Sequence, residues 1–275
     1  MTAPRDPSRR DLFKVIGTGA ACGAAGAAAG AADAAADHGA GDSSATGRRW
    51  GMVIDLDRCT LCGSCGVACR EENNVPSVGP DPEHAGAQIE WMSILWQEPE
   101  QSGGMPTGMP FPCQHCADAP CVKVCPVGAT YTGDDGITMQ IWDRCIGCRY
   151  CMVACPYGRR SFNWEEPRWE GTEVQLLNPD VATRPKGVVE KCTFCHHRIR
   201  RVRETAALEG REMRDEEMQR LPACASACPA EAIVFGDLHD PDSRVSELAR
   251  DPRRFQLLDY LGTDPSVIYL KRDRR

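Results

Sequence analysis

The sequence predicts a loop-rich α+β fold in which one small module occurs twice, with one copy inserted inside the other. Three observations support this prediction. Cysteine, glycine and proline are abundant, with 17, 26 and 20 copies among 275 residues, whereas aromatic residues make up only 6% of the chain. All the cysteines except Cys22 fall into four groups of four. The lead-in to the first group, WGMVIDLDRC, matches the lead-in to the third, GITMQIWDRC, because in both an alternating apolar strand is predicted to run into Asp-Arg-Cys; this match indicates an internal repeat.

The composition limits the class of protein before any motif is considered. A chain of 275 residues can bury a core, but so few aromatic side chains predict thin packing. A fold held together by covalent or metal links is therefore expected. The net charge of −7 provides no basic face, which argues against binding to nucleic acid.

The first forty residues predict an export signal followed by a linker. Residues 8–14, SRRDLFK, resemble the twin-arginine pattern S-R-R-x-F-L-K with Leu and Phe exchanged, and an Ala/Gly-rich run follows. The alternative is a membrane anchor, because residues 15–32 reach the lower length limit for spanning a bilayer. Ala and Gly contribute little to insertion, however. We therefore expect a periplasmic protein that is exported by the twin-arginine pathway after folding, with cleavage after Ala36 or Ala40.

The four cysteine quartets are the strongest signal for chemistry. In a C-x2-C-x2-C segment the chain can curl around an iron–sulfur cubane, so that three thiolates bind three of its irons. The fourth cysteine begins a segment that leads away, and it ligates the other cluster of a pair, as in bacterial two-cluster ferredoxins. In chain order, the quartets are Cys59, Cys62, Cys65 and Cys69; Cys113, Cys116, Cys121 and Cys125; Cys145, Cys148, Cys151 and Cys155; and Cys192, Cys195, Cys224 and Cys228.

Proline directly follows the last cysteine of three quartets, at Pro126, Pro156 and Pro229. It suits the first position of a helix, where its missing N–H costs nothing, so it directs the chain away from the cluster. Structural zinc is one alternative, but it needs only two C-x2-C pairs for each ion. Disulfides are another, because the cysteine count is even and the destination is oxidising. If the protein folds before export, its thiols acquire their ligands in a reducing compartment, before they reach the oxidising one. This favours iron–sulfur clusters over disulfides.

The exchange of fourth cysteines predicts how the quartets combine. The middle quartets are joined by PVGATYTGDDGITMQIWDR, which predicts a strand, a tight turn and a second strand. The outer quartets then pair with each other across the inserted module. The predicted groups are site I, with Cys59, Cys62, Cys65 and Cys228; site II, with Cys69, Cys192, Cys195 and Cys224; site III, with Cys113, Cys116, Cys121 and Cys155; and site IV, with Cys125, Cys145, Cys148 and Cys151.

Four such quartets in this order resemble the electron-transfer iron–sulfur (beta) subunits of membrane-bound molybdopterin oxidoreductases. This family includes subunits of tetrathionate, polysulfide, dimethyl sulfoxide and nitrate reductases, and the periplasmic iron–sulfur protein of the sulfite-reduction-associated complex is similar. The resemblance covers roughly residues 50–270, and CQHCADAPCVKVCPVGATY, CIGCRYCMVACPYG and GVVEKCTFCHHRI carry it most specifically. It implies duplicated ferredoxin-like modules of the bacterial two-cluster type and four 4Fe–4S clusters in all.

The resemblance also implies a function and partners. Single electrons would pass through the four clusters between an integral membrane quinone-binding subunit and a molybdopterin catalytic subunit or a multihaem cytochrome. Some relatives carry a C-terminal membrane helix, whereas this sequence ends IYLKRDRR, so we expect attachment to the inner membrane through a partner. Fully ligated clusters leave no open iron for a substrate, and no catalytic residue is predicted. The alternatives are a free soluble periplasmic polyferredoxin shuttle and a catalytic reductase.

Charged side chains also lie among the thiolates. Lys123, Arg144, Arg149 and Lys191 are candidates for raising a cluster potential, although most charges in such loops are solvated. Residues 196–220, rich in charges of both signs, predict a solvated helix plus loop. The predicted organisation is 1–40, signal and linker; 48–112, first part of the outer module plus an insertion loop over 74–112; 113–175, inner module; 176–240, second part of the outer module; and 241–275, C-terminal extension.

Overall fold

The structure, a computed structural model, describes residues 47–76, 89–97, 107–167, 169 and 171–273. The predicted export signal and both candidate cleavage points lie outside these residues. The strands are β1 (Trp50–Asp55), β2 (Met92–Gln97), β3 (Thr107–Pro112), β4 (Thr130–Thr132), β5 (Thr138–Gln140), β6 (Ser161–Phe162), β7 (Val189–Glu190), β8 (Ile233–Asp237), β9 (Arg254–Phe255) and β10 (Val267–Leu270). The helices are α1 (Ser64–Glu72), α2 (Pro120–Lys123), α3 (Tyr150–Ala154), α4 (His196–Leu208), α5 (Asp215–Met218), α6 (Ala223–Ser226) and α7 (Arg244–Ala249).

The largest sheet has four strands in the order β8–β1–β10–β9. β1 is antiparallel to β8 and parallel to β10, so that Met52 lies opposite Phe235 on one side and Val267 on the other. The prediction of a strand at β1 is confirmed. Residues assigned to a C-terminal extension supply β9 and β10, and β10 lies directly beside β1.

The predicted alternation of buried and exposed side chains along β1 is wrong, because its first five residues are all buried. One face of the strand contributes Trp50, Met52 and Ile54 to the main core. On the opposite face, Val53 packs with Val245 of α7 in a second apolar cluster. Both faces are covered, so neither face selects polar residues.

The predicted strand–turn–strand between the middle quartets is confirmed. β4 and β5 are antiparallel, with Thr130 opposite Gln140. The β1–β8 pair repeats this arrangement in the larger sheet, because β8 begins five residues after Cys228, just as β4 begins five residues after Cys125. In both pairs, one strand (β8 or β4) follows the last cysteine of a quartet. The other strand (β1 or β5) precedes the first cysteine of a quartet.

The loop predicted over residues 74–112 is wrong for its second half, where β2 and β3 form an antiparallel hairpin. The segment MSILWQ of β2 contains Ile94 and Trp96, a β-branched and an aromatic residue of the kinds that strands favour. Pro110 and Pro112 lie in β3, which has a partner on only one side. Proline is tolerated in such an edge strand because its missing N–H can face away from the partner.

The solvated helix plus loop predicted over residues 196–220 is confirmed as α4, a loop and α5. Most side chains of α4 are exposed or half-buried, while Ile199 and Ala206 are buried against the body of the protein. Within the described ranges, no helix has the length and apolar character needed to cross a bilayer.

Candidate metal centres

All sixteen quartet cysteines lie in the described part of the chain, and they are free thiols, in contrast to the disulfide alternative. The four thiols of site IV line one cavity together with Ile146 and Val189. The four thiols of site I line another cavity, with Ile94 and Ile233 in its wall. The structure thus brings together cysteines that are far apart in the chain, including Cys228 with the first quartet.

Within site II, and likewise within site III, the four thiols lie close enough together to shift one another's pKa. Burial raises the pKa of Cys69 well above its ordinary value, and the other three thiols of site II raise it further. Burial likewise raises the pKa of Cys116 to about 12, with the other three thiols of site III adding to the rise. A thiol in such surroundings ionises when a cation stabilises its charge, and a bound metal supplies that cation.

One backbone turn is common to the four C-x2-C segments. The residue before the second cysteine has a left-handed backbone in each, with φ of 58° at Leu61, 43° at His115, 69° at Gly147 and 54° at Phe194. Positive φ is uncommon outside glycine, and it persists where the surrounding structure fixes it. The four segments therefore share a local geometry as well as a spacing.

Several cysteine sulfurs accept hydrogen bonds. The backbone N–H of Thr130 donates to Cys125 Sγ at 3.4 Å, and that of Ala232 donates to Cys228 Sγ at 3.3 Å. These two sulfurs hold equivalent positions, each at the end of a quartet. N–H donors stabilise negative charge on sulfur, as a thiolate that binds iron requires.

The four sites follow one another in a single order. Burial is the main cause of the raised pKa of Cys224, Cys192 and Cys151, and a thiol from a neighbouring site contributes to each. That neighbour is a site I thiol for Cys224, and a site III thiol for the other two. Because Cys224 and Cys192 belong to site II and Cys151 to site IV, the order is I, II, III, IV.

The two ends of this row reach the surface. Cys62 of site I and Cys148 of site IV are exposed, whereas all four cysteines of site II are buried. Two large apolar side chains close to Cys148 in the chain are exposed, Ile146 by 65% and Val153 by 82%. The middle of the row is shielded from water and its ends are accessible.

The candidate charged residues differ sharply in burial. Lys123, Arg144 and Arg149 are exposed, whereas Lys191 is buried and its Nζ donates to the carbonyl oxygen of Cys192 at 2.6 Å. The sequence interpretation missed a second buried cation, Arg160, which contacts a cysteine sulfur. The RR pair after CPYG was its only signal, and nothing local indicates which arginine turns inward.

The sequence interpretation also missed Asn73, whose buried side chain donates toward Cys195 Sγ at 3.5 Å. Two histidines, His196 and His197, directly follow Cys195 in the chain. His197 is half-buried, and its Nε2 lies 2.6 Å from Oε1 of Glu72. Glu72 lies three residues after Cys69, so this contact joins the first and last quartets.

Sixteen free thiols, several of which accept hydrogen bonds from N–H groups, match the donor set of cysteine-ligated iron–sulfur clusters. Residues 107–176 match the family model described as a 4Fe-4S dicluster domain. This segment holds β3, the hairpin of β4 and β5, and the middle quartets. Fold and donor set together define an iron–sulfur protein with a ferredoxin-like 4Fe–4S domain.

Similarity to known proteins extends over most of the chain. The iron–sulfur cluster-binding subunit of a menaquinone reductase from Nitratidesulfovibrio vulgaris is 46% identical over 234 residues, covering 82% of this chain and 89% of that protein. Iron–sulfur subunit 1 of an Hdr-like menaquinol oxidoreductase from Archaeoglobus fulgidus is 41% identical over 243 residues (82% and 84%). The iron–sulfur subunit of an arsenate respiratory reductase from Shewanella is 39% identical over 251 residues (81% and 96%). The chain belongs to the family of iron–sulfur electron-transfer subunits of membrane-bound oxidoreductases.

Proposed function

We propose that the protein relays single electrons through four 4Fe–4S clusters held at sites I to IV. The observation that carries the proposal is that four thiols line one cavity at site I and four line another at site IV, each group with an exposed cysteine, while the thiols of site II are buried. A 4Fe–4S cluster supplies a one-electron carrier when bound. Electrons would enter and leave at sites I and IV, since Cys62 and Cys148 reach the surface.

The protein's own residues bind, orient and shield at these sites. Sixteen thiolates provide four ligands for each of four groups. The N–H groups of Thr130 and Ala232 stabilise negative charge on two of the sulfurs. Burial of site II excludes water from the interior of the row, which limits side reactions there.

We further propose that the fold consists of two ferredoxin-like modules, with the inner one inserted in the outer one. The β4–β5 and β1–β8 pairs support this, because each joins the exit of one quartet to the approach of another. The left-handed turn common to all four C-x2-C segments supports it as well. Cys228 and Cys155 would then each complete a site built mainly by another quartet.

Two partners are proposed: an integral membrane subunit that binds quinone, and a molybdopterin catalytic subunit or multihaem cytochrome. The relatives named above are subunits of larger reductases and oxidoreductases, which favours a fixed subunit over a free shuttle. The exposed Ile146, which lines the site IV cavity with Cys148, and the exposed Val153, five residues after Cys148, support a protein contact at the site IV end.

A periplasmic location at the inner membrane is proposed from residues 8–32 alone. The RR pair and the Ala/Gly-rich run that follows it support export by the twin-arginine pathway. Cell fractionation tests this proposal. Mature protein confined to the cytoplasm would contradict it.

The cluster proposal is tested by chemical analysis of protein purified without oxygen. Four 4Fe–4S clusters require about sixteen iron ions and about sixteen acid-labile sulfides per chain. Reduction should produce electron paramagnetic resonance (EPR) signals from these clusters. Protein free of iron and sulfide would overturn the proposal. Bound zinc, with two C-x2-C pairs for each ion, would favour the alternative of structural zinc sites.

A further inference from the structure

Arg160 lies against site III with its charge buried. Only 5% of the residue is exposed. Its Nη2 donates to Cys121 Sγ, a site III sulfur, at 3.1 Å. Its Nη1 donates to Thr130 Oγ1 at 3.2 Å and to Gln140 Oε1 at 3.1 Å. The guanidinium is therefore held against a candidate ligand sulfur by two neutral side chains of the β4–β5 hairpin.

The same guanidinium reaches site IV. Cys121, whose sulfur accepts from Arg160, lies in the same buried cluster as Cys151 of site IV, and Cys145 packs against that cluster. Thr130, which Arg160 contacts through the hydroxyl, donates its backbone N–H to Cys125 Sγ. Arg160 thus contacts a site III sulfur directly and is connected to site IV through Thr130.

Among the residues that the structure describes, no carboxylate forms a hydrogen bond or ion pair with Arg160. Arg184 provides a contrast, since it is equally buried but pairs with Glu190. A buried cation is costly unless an opposite charge lies close to it. The groups that can supply negative charge beside Arg160 are the sulfurs of sites III and IV.

We propose that Arg160 is a counter-ion shared by sites III and IV, and that it raises the reduction potential of the cluster bound at each. The inference rests on the proposed function, because it requires clusters at these sites. Reduction adds negative charge, so a nearby cation and hydrogen bonds to ligand sulfurs both favour the reduced state.

The test is a redox titration, followed by EPR, of the purified full chain carrying its clusters. In Arg160→Met, two of the wild-type midpoint potentials are expected to fall while the others stay in place. At the dielectric of a protein interior, a charge at this distance changes the equilibrium constant of reduction at least tenfold, or about 59 mV for one electron. Arg160→Lys keeps the charge but loses the two-pronged contact, so a smaller fall is expected.

Lys123→Met is the matched control. It also removes a positive charge close to Cys121 in the chain, but Lys123 is exposed and pairs with Asp118. Solvent screens such a charge, so all potentials should match those of the wild type. An equal fall in Lys123→Met and Arg160→Met would mean that total charge, rather than the buried contact, sets the potentials.

Gln140→Glu tests the same inference with Arg160 still present. The new carboxylate lies where Gln140 Oε1 accepts from Nη1, so it offsets the guanidinium charge without removing bulk. The same two potentials are expected to fall, and this variant decides the matter if Arg160→Met does not accumulate.

Unchanged potentials in cluster-loaded Arg160→Met or Gln140→Glu would overturn the role of Arg160 and leave the relay intact. Wild-type protein without reducible clusters would overturn the proposed function and this inference with it.

Discussion

Gly147 illustrates how a single residue supports a cluster site. It has φ of 69°, and a Cβ at this position would lie 2.4 Å from the carbonyl oxygen of Gly187. Leu61, His115 and Phe194 hold the equivalent position in the other segments with positive φ and a side chain. Backbone conformation alone therefore does not require glycine at residue 147; the close approach of the neighbouring carbonyl does.

Gly147→Ala is expected to impair site IV, because the loop between Cys145 and Cys148 cannot keep its position against that carbonyl. Iron content should fall by about four ions per chain, the content of one cluster. Gly210→Ala is the matched control. Its φ is 63°, but no atom lies within 4 Å of the added Cβ, so the full iron content should remain. Full iron content in Gly147→Ala would show that the loop can shift freely.

Helices α1 and α4 are joined by a carboxylate at the end of α1. Glu72 accepts from Arg198 Nε at 2.6 Å and lies 2.6 Å from His197 Nε2. α1 carries Cys69 and α4 begins directly after Cys195, so this contact holds together two separate parts of site II. Burial alone would raise the pKa of Glu72, but the hydrogen bonds from Arg198 and His197 outweigh it and the pKa is lowered.

Glu72→Gln is expected to lower stability by about 2 kcal/mol at pH 7, because a charged hydrogen-bond network is broken. A carboxyl whose pKa is lowered by folding contributes stability that is fully present above its ordinary value of 4.5. This contribution is lost as the pH falls through the lowered value. The rate at which guanidinium chloride bleaches the cluster absorbance should therefore differ between variant and wild type at neutral pH, and the difference should close below pH 4.5.

Glu71→Gln is the control for this prediction, since Glu71 is the exposed neighbour of Glu72. It should bleach at the wild-type rate throughout. If the bleaching rates of Glu72→Gln and wild type still differed by the same amount in acid, Glu72 would act through its shape rather than its charge.

Local spacing made the cysteine quartets and the β4–β5 hairpin predictable, because each is encoded within a short stretch of chain. The parallel pairing of β1 with β10 joins opposite ends of the described chain, and no short pattern specifies it. The burial of Arg160 is likewise not specified by a short pattern. Arg159 is the same residue type in the same stretch of chain, so the local sequence does not distinguish the two. Tertiary packing decides these features, so the sequence identified the candidate sites but missed a cation that contacts one of them.

The inserted-module arrangement makes a prediction about the whole molecule that depends on which cysteines share a site. Cys62 and Cys228 are far apart in the chain but line one cavity. Replacing both with alanine should alter one cluster and leave three wild-type midpoint potentials. Cys195 and Cys228 belong to the same quartet but to different sites, so replacing both should alter two clusters and leave two wild-type potentials.

Redox titration of the two double variants separates the inserted arrangement from one in which each quartet holds its own cluster. If quartets were self-contained, the result would be reversed: Cys62→Ala/Cys228→Ala would alter two clusters and Cys195→Ala/Cys228→Ala only one. Each protein carries two substitutions from cysteine to alanine, so a general loss of stability affects both alike. The difference between them therefore reports which cysteines share a cluster. Sharing between the first and last quartets is expected only if the inner module is inserted in the outer one.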